Sequence, residues 1–136
     1  MEQPVSVLVT TVTGDDTLTF RGSGRLTRDA RGFHLCYTAS GEGGPVASEL
    51  HLGLGRAVIR TPSYRLLLDP DHPTRAQLET DGGALPLTVI THGVRSDLRE
   101  ASGTVSLHYT LASAGQTVGA FRVTLAVESL DKERTL

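Results

Sequence analysis

The sequence predicts an all-β protein, a closed antiparallel barrel of about eight to ten strands in a mostly up-and-down meander. Three observations predict it. Apolar and polar residues alternate with a period of two through most of the chain, as in strands with one dry face and one wet face. Turn-forming clusters recur near positions 14, 30, 42, 54, 71, 82, 101 and 114, most of them about 11 to 17 residues apart. No segment sustains a helical period. Short connections make sequence neighbours spatial neighbours, and closure removes the exposed edges of so long a meander.

Val5, Val7 and Val9 alternate with Ser6, Leu8 and Thr10 in a first strand rich in β-branched residues. After the turn at Gly14-Asp15-Asp16, Leu18, Phe20 and Leu26 keep one parity. Gly22 and Gly24 fall on that same parity, where a glycine marks a sharp bend or a bulge. Asp29-Ala30-Arg31-Gly32 is the next turn, and Phe33, Leu35 and Tyr37 then alternate with His34, Cys36 and Thr38. A loop opens at Gly41, and Pro45 to Leu52 forms a weaker strand. Gly53-Leu54-Gly55 turns into Ala57, Val58 and Ile59, and Pro62-Ser63 breaks the run before Tyr64, Leu66 and Leu68.

Asp69-Pro70-Asp71-His72-Pro73 is a rigid turn, because two prolines exclude a helix interior or a central strand. Thr74 to Thr80 alternates again, and Asp81-Gly82-Gly83 has hairpin composition. Leu85 to Val127 is the cleanest part. Leu85, Leu87 and Val89 give one strand, with Ile90 spoiling its polar face. Val105, Leu107, Tyr109 and Leu111 give the next, and Phe121, Val123, Leu125 and Val127 the last. Between the first two, Arg95 to Ala101 is the one stretch expected to form a helical turn. Residues 1–136 read as one domain, with 129–136 a charged, frayed tail.

Composition narrows the function. A chain of 136 residues buries roughly 68% of its unfolded surface in a single core. With no Trp, three Phe and three Tyr, that core is mostly Leu and Val. The net charge of −2, spread without like-sign runs, argues against nucleic acid as a partner. No apolar run approaches the roughly 18 residues of a membrane-spanning helix, and no membrane partner is expected. Cys36 is the lone cysteine, which excludes an internal disulfide and fits a reducing compartment. The opening Met1-Glu2-Gln3-Pro4 lacks a secretion-signal pattern, so a cytoplasmic location is expected.

From Thr74 to Val127 the chain resembles the uncharacterised bacterial β-barrel family typified by YwiB. The matching features are Thr80-Asp81-Gly82-Gly83 leading into Leu85 and Leu87, then Thr91, Ser96-Asp97-Leu98, and Gly103 through Tyr109. The opening strand and Asp15-Asp16 fit as well. The resemblance implies a calycin-type, lipocalin-like closed barrel, and it brings no catalytic residue.

Catalytic and metal chemistry find no complete residue set. His34 and Cys36 share one strand face, but a soft-metal site needs three or four ligands and the chain has no second thiol. Asp69, Asp71 and His72 fall short of the oxygen count of a calcium loop. Gly53-Leu54-Gly55 lacks the third glycine and the helix of a dinucleotide fingerprint. Gly22-Ser23-Gly24 is not a nucleophile elbow. The histidines fall on polar parities or in loops where they can be assigned. No catalytic residue, metal or cofactor is therefore expected.

The residues that stand out are hydroxyls on the apolar parity: Tyr37, Tyr64, Thr80, Thr91 and Tyr109. Buried hydroxyls need partners. They either satisfy one another in a filled core or line a cavity for a small ligand, and a barrel of this size permits both. Two functional readings follow. One is a non-enzymatic barrel that binds a small apolar or amphipathic ligand in its lumen, with Tyr37, Tyr64, Thr80, Thr91 and Tyr109 as the ligand-binding set. The alternative is a structural or interaction module, a homodimer for example, acting through the outward apolar residues Val58, Leu67 and Ile90.

Overall fold

The computed structural model describes residues 2–41 and 43–130. Among them, ten strands follow in order: β1 (Glu2–Thr13), β2 (Asp16–Arg28), β3 (Gly32–Gly41), β4 (Gly44–Gly53), β5 (Arg56–Arg60), β6 (Arg65–Leu68), β7 (Thr74–Thr80), β8 (Gly83–Ser96), β9 (Gly103–Ser113) and β10 (Gln116–Ser129). Every ladder is antiparallel, and the sheet order is β6-β5-β4-β3-β2-β1-β10-β9-β8-β7. The first and last strands join in full register, from Val5 opposite Ser129 to Val12 opposite Arg122. This is the meander read from the sequence, wound into a nearly closed barrel.

The seam falls between β6 and β7. Their link is thin: a bridge pairs Tyr64 with Leu78, the Glu79 amide donates to the Ser63 carbonyl (3.1 Å), and Thr74 Oγ1 donates to the Leu67 carbonyl (2.5 Å). The prolines at 70 and 73 account for it, since they force a turn rather than a tight hairpin. Asp69 holds that turn, accepting the Asp71 amide on Oδ1 at 2.9 Å.

Alternation decides what lies inside. Val5, Leu35, Leu68, Val89 and Val105 are fully sequestered, while their strand neighbours face outward. Gly22 and Gly24 lie in unbroken ladders on both sides, so they are not bulges. They mark a close approach instead, with β2 pressed against the backbone of β3. The register shifts fall elsewhere, between Thr91 and Gly93 in β8 and between Thr117 and Gly119 in β10.

Two sequence expectations change. Arg95 to Ala101 forms no helical turn: β8 continues to Ser96, and the chain then makes a loop with Glu100 at φ 60° and Arg99 bridged to Ser102. The Asp97 carboxylate drives this by accepting both the Thr104 amide (2.6 Å) and the Thr104 hydroxyl (3.0 Å), a local bond that competes with helix formation. Of the frayed tail expected at 129–136, Ser129 and Leu130 are held in place: Ser129 pairs with Val5, and the Leu130 amide donates to the Pro4 carbonyl. Residues 131–136 lie outside the described residues.

Candidate functional site

The barrel is filled unevenly. One end is packed solid by Val5, Leu26, Phe33, Leu35, Leu68, Val105 and Val127, with Ala101 tucked in beneath the β8–β9 loop. Arg28 holds that loop down, its guanidinium donating to the carbonyls of Glu100 (2.8 Å) and Leu98 (3.0 Å). The other end is hollow. A cavity of about 690 Å³ runs through the lumen, floored by Leu50, Leu66, Leu107 and Leu125. Toward its mouth the walls include Leu18, Phe20, Val46, Leu111 and Phe121. Among the described residues no charged side chain lines it. Its size lies within the range of small-molecule sites.

Three of the five hydroxyl residues singled out from the sequence line this cavity: Tyr37, Tyr64 and Tyr109. Tyr109 stands on β9 with its ring stacked on Phe121, centroids 5.5 Å apart. Tyr37 stands opposite Ser48 across β3 and β4, and both line the cavity. Tyr64 sits at the seam, bridged to Leu78. Burial pushes all three phenols above their ordinary range, Tyr109 the most, and Tyr64 adds to the rise at Tyr37 while Tyr64 and Tyr37 add to that at Tyr109. At neutral pH they are neutral hydroxyls, each able to donate one hydrogen bond.

The two threonines fall outside the cavity lining. Thr91 is inward and buried opposite Tyr109, and its Oγ1 has no hydrogen-bond partner, but it does not reach the cavity wall. Thr80 is exposed at the end of β7 and closes the hairpin by donating to the Gly83 carbonyl (2.6 Å). Its parity matches an inward position, but the strand has left the barrel wall by that point. Sequence reasoning missed the apolar partners, Phe20, Leu111 and Phe121 above all, because nothing distinguishes a wall residue from a core residue when both are apolar.

The outer surface carries further polar groups. His34 and Cys36 face outward as expected, and Glu49 on β4 lies opposite Cys36. The rings of His92 and His108 lie 4.8 Å apart, tilted to each other, on the outside of β8 and β9. A larger hollow, about 770 Å³, runs along the seam. It is a more open groove bordered by Arg60, Arg65, Arg75 and Glu79, so the deeper lumen is the stronger site.

This geometry defines a class: an antiparallel β-barrel, packed at one end and hollow at the other, with hydroxyls in an uncharged lumen. The chain belongs to the family described as a domain of unknown function (DUF1934), whose model matches residues 7–125. Its fold is similar to the crystal structure of the ywiB protein from Bacillus subtilis, with a TM-score of 0.79 at 21% identity, covering 94% of this chain and 92% of that one. No match was found among the curated proteins. The family resemblance read from the sequence is thus borne out, and at this identity the structural likeness speaks for the fold alone. Among the described residues no helix is long and apolar enough to cross a membrane.

Proposed function

We propose that the protein is a non-enzymatic, lipocalin-like barrel that holds one small, neutral, amphipathic molecule in its lumen. The carrying observation is the 690 Å³ cavity with Tyr37, Tyr64 and Tyr109 set into a mostly apolar, uncharged wall, where Thr11, Ser48, Thr61 and Ser63 add smaller hydroxyls. The apolar lining favours a hydrophobic body. Three phenolic donors favour a carbonyl or hydroxyl group on the ligand. The uncharged wall disfavours an ionic ligand, whose charge would be desolvated without a partner. A chain with a single cysteine and therefore no internal disulfide fits a cytoplasmic setting for this activity.

The test is native mass spectrometry of the freshly purified protein, joined to titration with an apolar fluorescent dye. The expected result is a retained small molecule, or saturable binding of one dye per chain that a co-purified or added amphipathic compound displaces. Ala39 lines the cavity, and Ala39→Phe should abolish both signals while leaving the circular dichroism spectrum unchanged. A wild-type protein that retains nothing and gives no saturable dye binding sinks the proposal. The outer-surface alternative has less support, because Val58 and Leu67 pair across β5 and β6 whereas Ile90 stands on β8.

A further inference from the structure

Outside the barrel, the β3–β4 ladder gathers three metal-ligand side chains. His34 and Cys36 are two residues apart on β3 and share the outward face. Glu49 stands directly opposite Cys36 on β4. The donor atoms converge: His34 Nε2 to Glu49 Oε1 is 3.0 Å, Cys36 Sγ to His34 Nε2 is 3.5 Å, and Cys36 Sγ to Glu49 Oε1 is 3.8 Å. All three therefore face one point.

Two chemistries use these residue types, and the geometry separates them. A nucleophilic relay needs the thiol on one ring nitrogen and the carboxylate on the other. Here the same nitrogen, Nε2, faces both. A shared metal needs what is present, three different donors aimed at a common centre. A tetrahedral zinc shell has edges of about 3.6 Å for sulfur to nitrogen or oxygen and about 3.4 Å for nitrogen to oxygen, from its ordinary bond lengths. The observed triangle is within about half an ångström of that on every edge.

We propose that His34, Cys36 and Glu49 form a zinc-binding site on the outer wall of the barrel. Thiolate, imidazole and carboxylate together suit Zn²⁺ better than hard cations, which want all-oxygen shells. One thiolate and one carboxylate neutralise the ion. On binding, a Zn–S bond forms and the Cys36 proton leaves to solvent. The surroundings orient the ligands. Arg60 Nη1 lies 3.8 Å from Glu49 Oε2, which leaves Oε1 turned toward the pair. The ring of His51 lies against that of His34, centroids 4.2 Å apart. The site opens onto a surface hollow beside Cys36 and Glu49, so solvent supplies the fourth ligand.

The test uses the full chain, stripped with a chelator and titrated with Zn²⁺ alone by calorimetry and with Co²⁺ alone by absorption. The expected result is one equivalent of metal and a thiolate-to-cobalt charge-transfer band. Cys36→Ser should remove the band and weaken zinc binding a hundredfold or more, and Glu49→Gln should weaken it with the band retained. Circular dichroism establishes that each variant folds. No charge-transfer band in the wild type, or zinc binding unchanged by Cys36→Ser, overturns the proposal. Loss of lumen binding would leave this site untouched, so the two readings fail separately.

Discussion

A Cβ placed on Gly22 would lie 1.8 Å from the carbonyl oxygen of Thr38. Gly22 pairs with Ala39, and β2 lies so close to β3 there that its inner face meets backbone rather than a side chain. Gly24 repeats the relation against the Cys36 carbonyl at 1.9 Å. Backbone cannot swing aside as a side-chain tip can, so the wall itself must move to admit a methyl group. Gly22→Ala is expected to cost about 3 kcal/mol or more, at the high end of overpacking effects. A urea titration measures it as a lowered midpoint. In contrast, Gly43→Ala, with nothing near its Cβ position, should change the midpoint little.

The uneven filling of the barrel gives a second expectation. Leu35 is fully buried in the packed half, and Leu35→Ala should cost about 3 kcal/mol through lost burial and a residual cavity. Ala39, two β-strand turns of the pleat further along, lines open space. Ala39→Leu therefore adds volume where volume is free and should change stability by less than about 1 kcal/mol, against the roughly 1–3 kcal/mol usual for overpacking. Thermal melts of the two variants would distinguish a half-hollow barrel from a uniformly packed one.

Much of this architecture was legible as parity. Val5, Val7 and Val9 face inward as their alternation requires, and Thr74 to Thr80 is a strand with the bounds its pattern gives. Parity could not say where along the barrel the interior stops being filled, because that depends on summed volumes from many strands. It could not place Glu49 beside His34 and Cys36 either. That meeting depends on how β3 and β4 register through the loop after Gly41, and one residue of slip would send Glu49 to the other face. Thr80 misled for a related reason: parity holds along a strand, yet the hairpin end projects past the wall. The hydroxyls of Tyr37, Tyr64 and Tyr109 were found because aromatic bulk and a polar tip on an apolar parity is an uncommon combination.

The clamp at the packed end is exposed, which limits its worth. Arg28 makes two charge-assisted bonds to backbone carbonyls of the β8–β9 loop, 72 and 70 residues away. Solvent screens them, so Arg28→Ala should cost only about 1 kcal/mol globally. Its local effect should be larger. Hydrogen exchange of amides in residues 97–103 should speed up while the β1–β10 ladder stays protected, since a loop held by few bonds opens without global unfolding. Equal acceleration across the whole sheet would contradict the clamp.

Acid should act on the same loop. The amide and hydroxyl of Thr104, bound to the Asp97 carboxylate, hold its pKa below the ordinary value, and the amides of Arg31 and Gly32 do the same for Asp29. The unfolded chain then binds more protons than the folded one as pH falls through the carboxylate range. These groups contribute stability above the unfolded pKa, near 4, and lose it as pH falls through the lower folded values. Urea midpoints should therefore hold steady from neutral pH to about 5 and decline below about 4. Asp97→Asn keeps an oxygen acceptor but removes the charge. It should lower the midpoint at pH 7 and converge with the wild type at the acid end, where Asp97 itself is protonated. A constant gap between the two proteins at every pH would show that Asp97 acts by shape and not by charge.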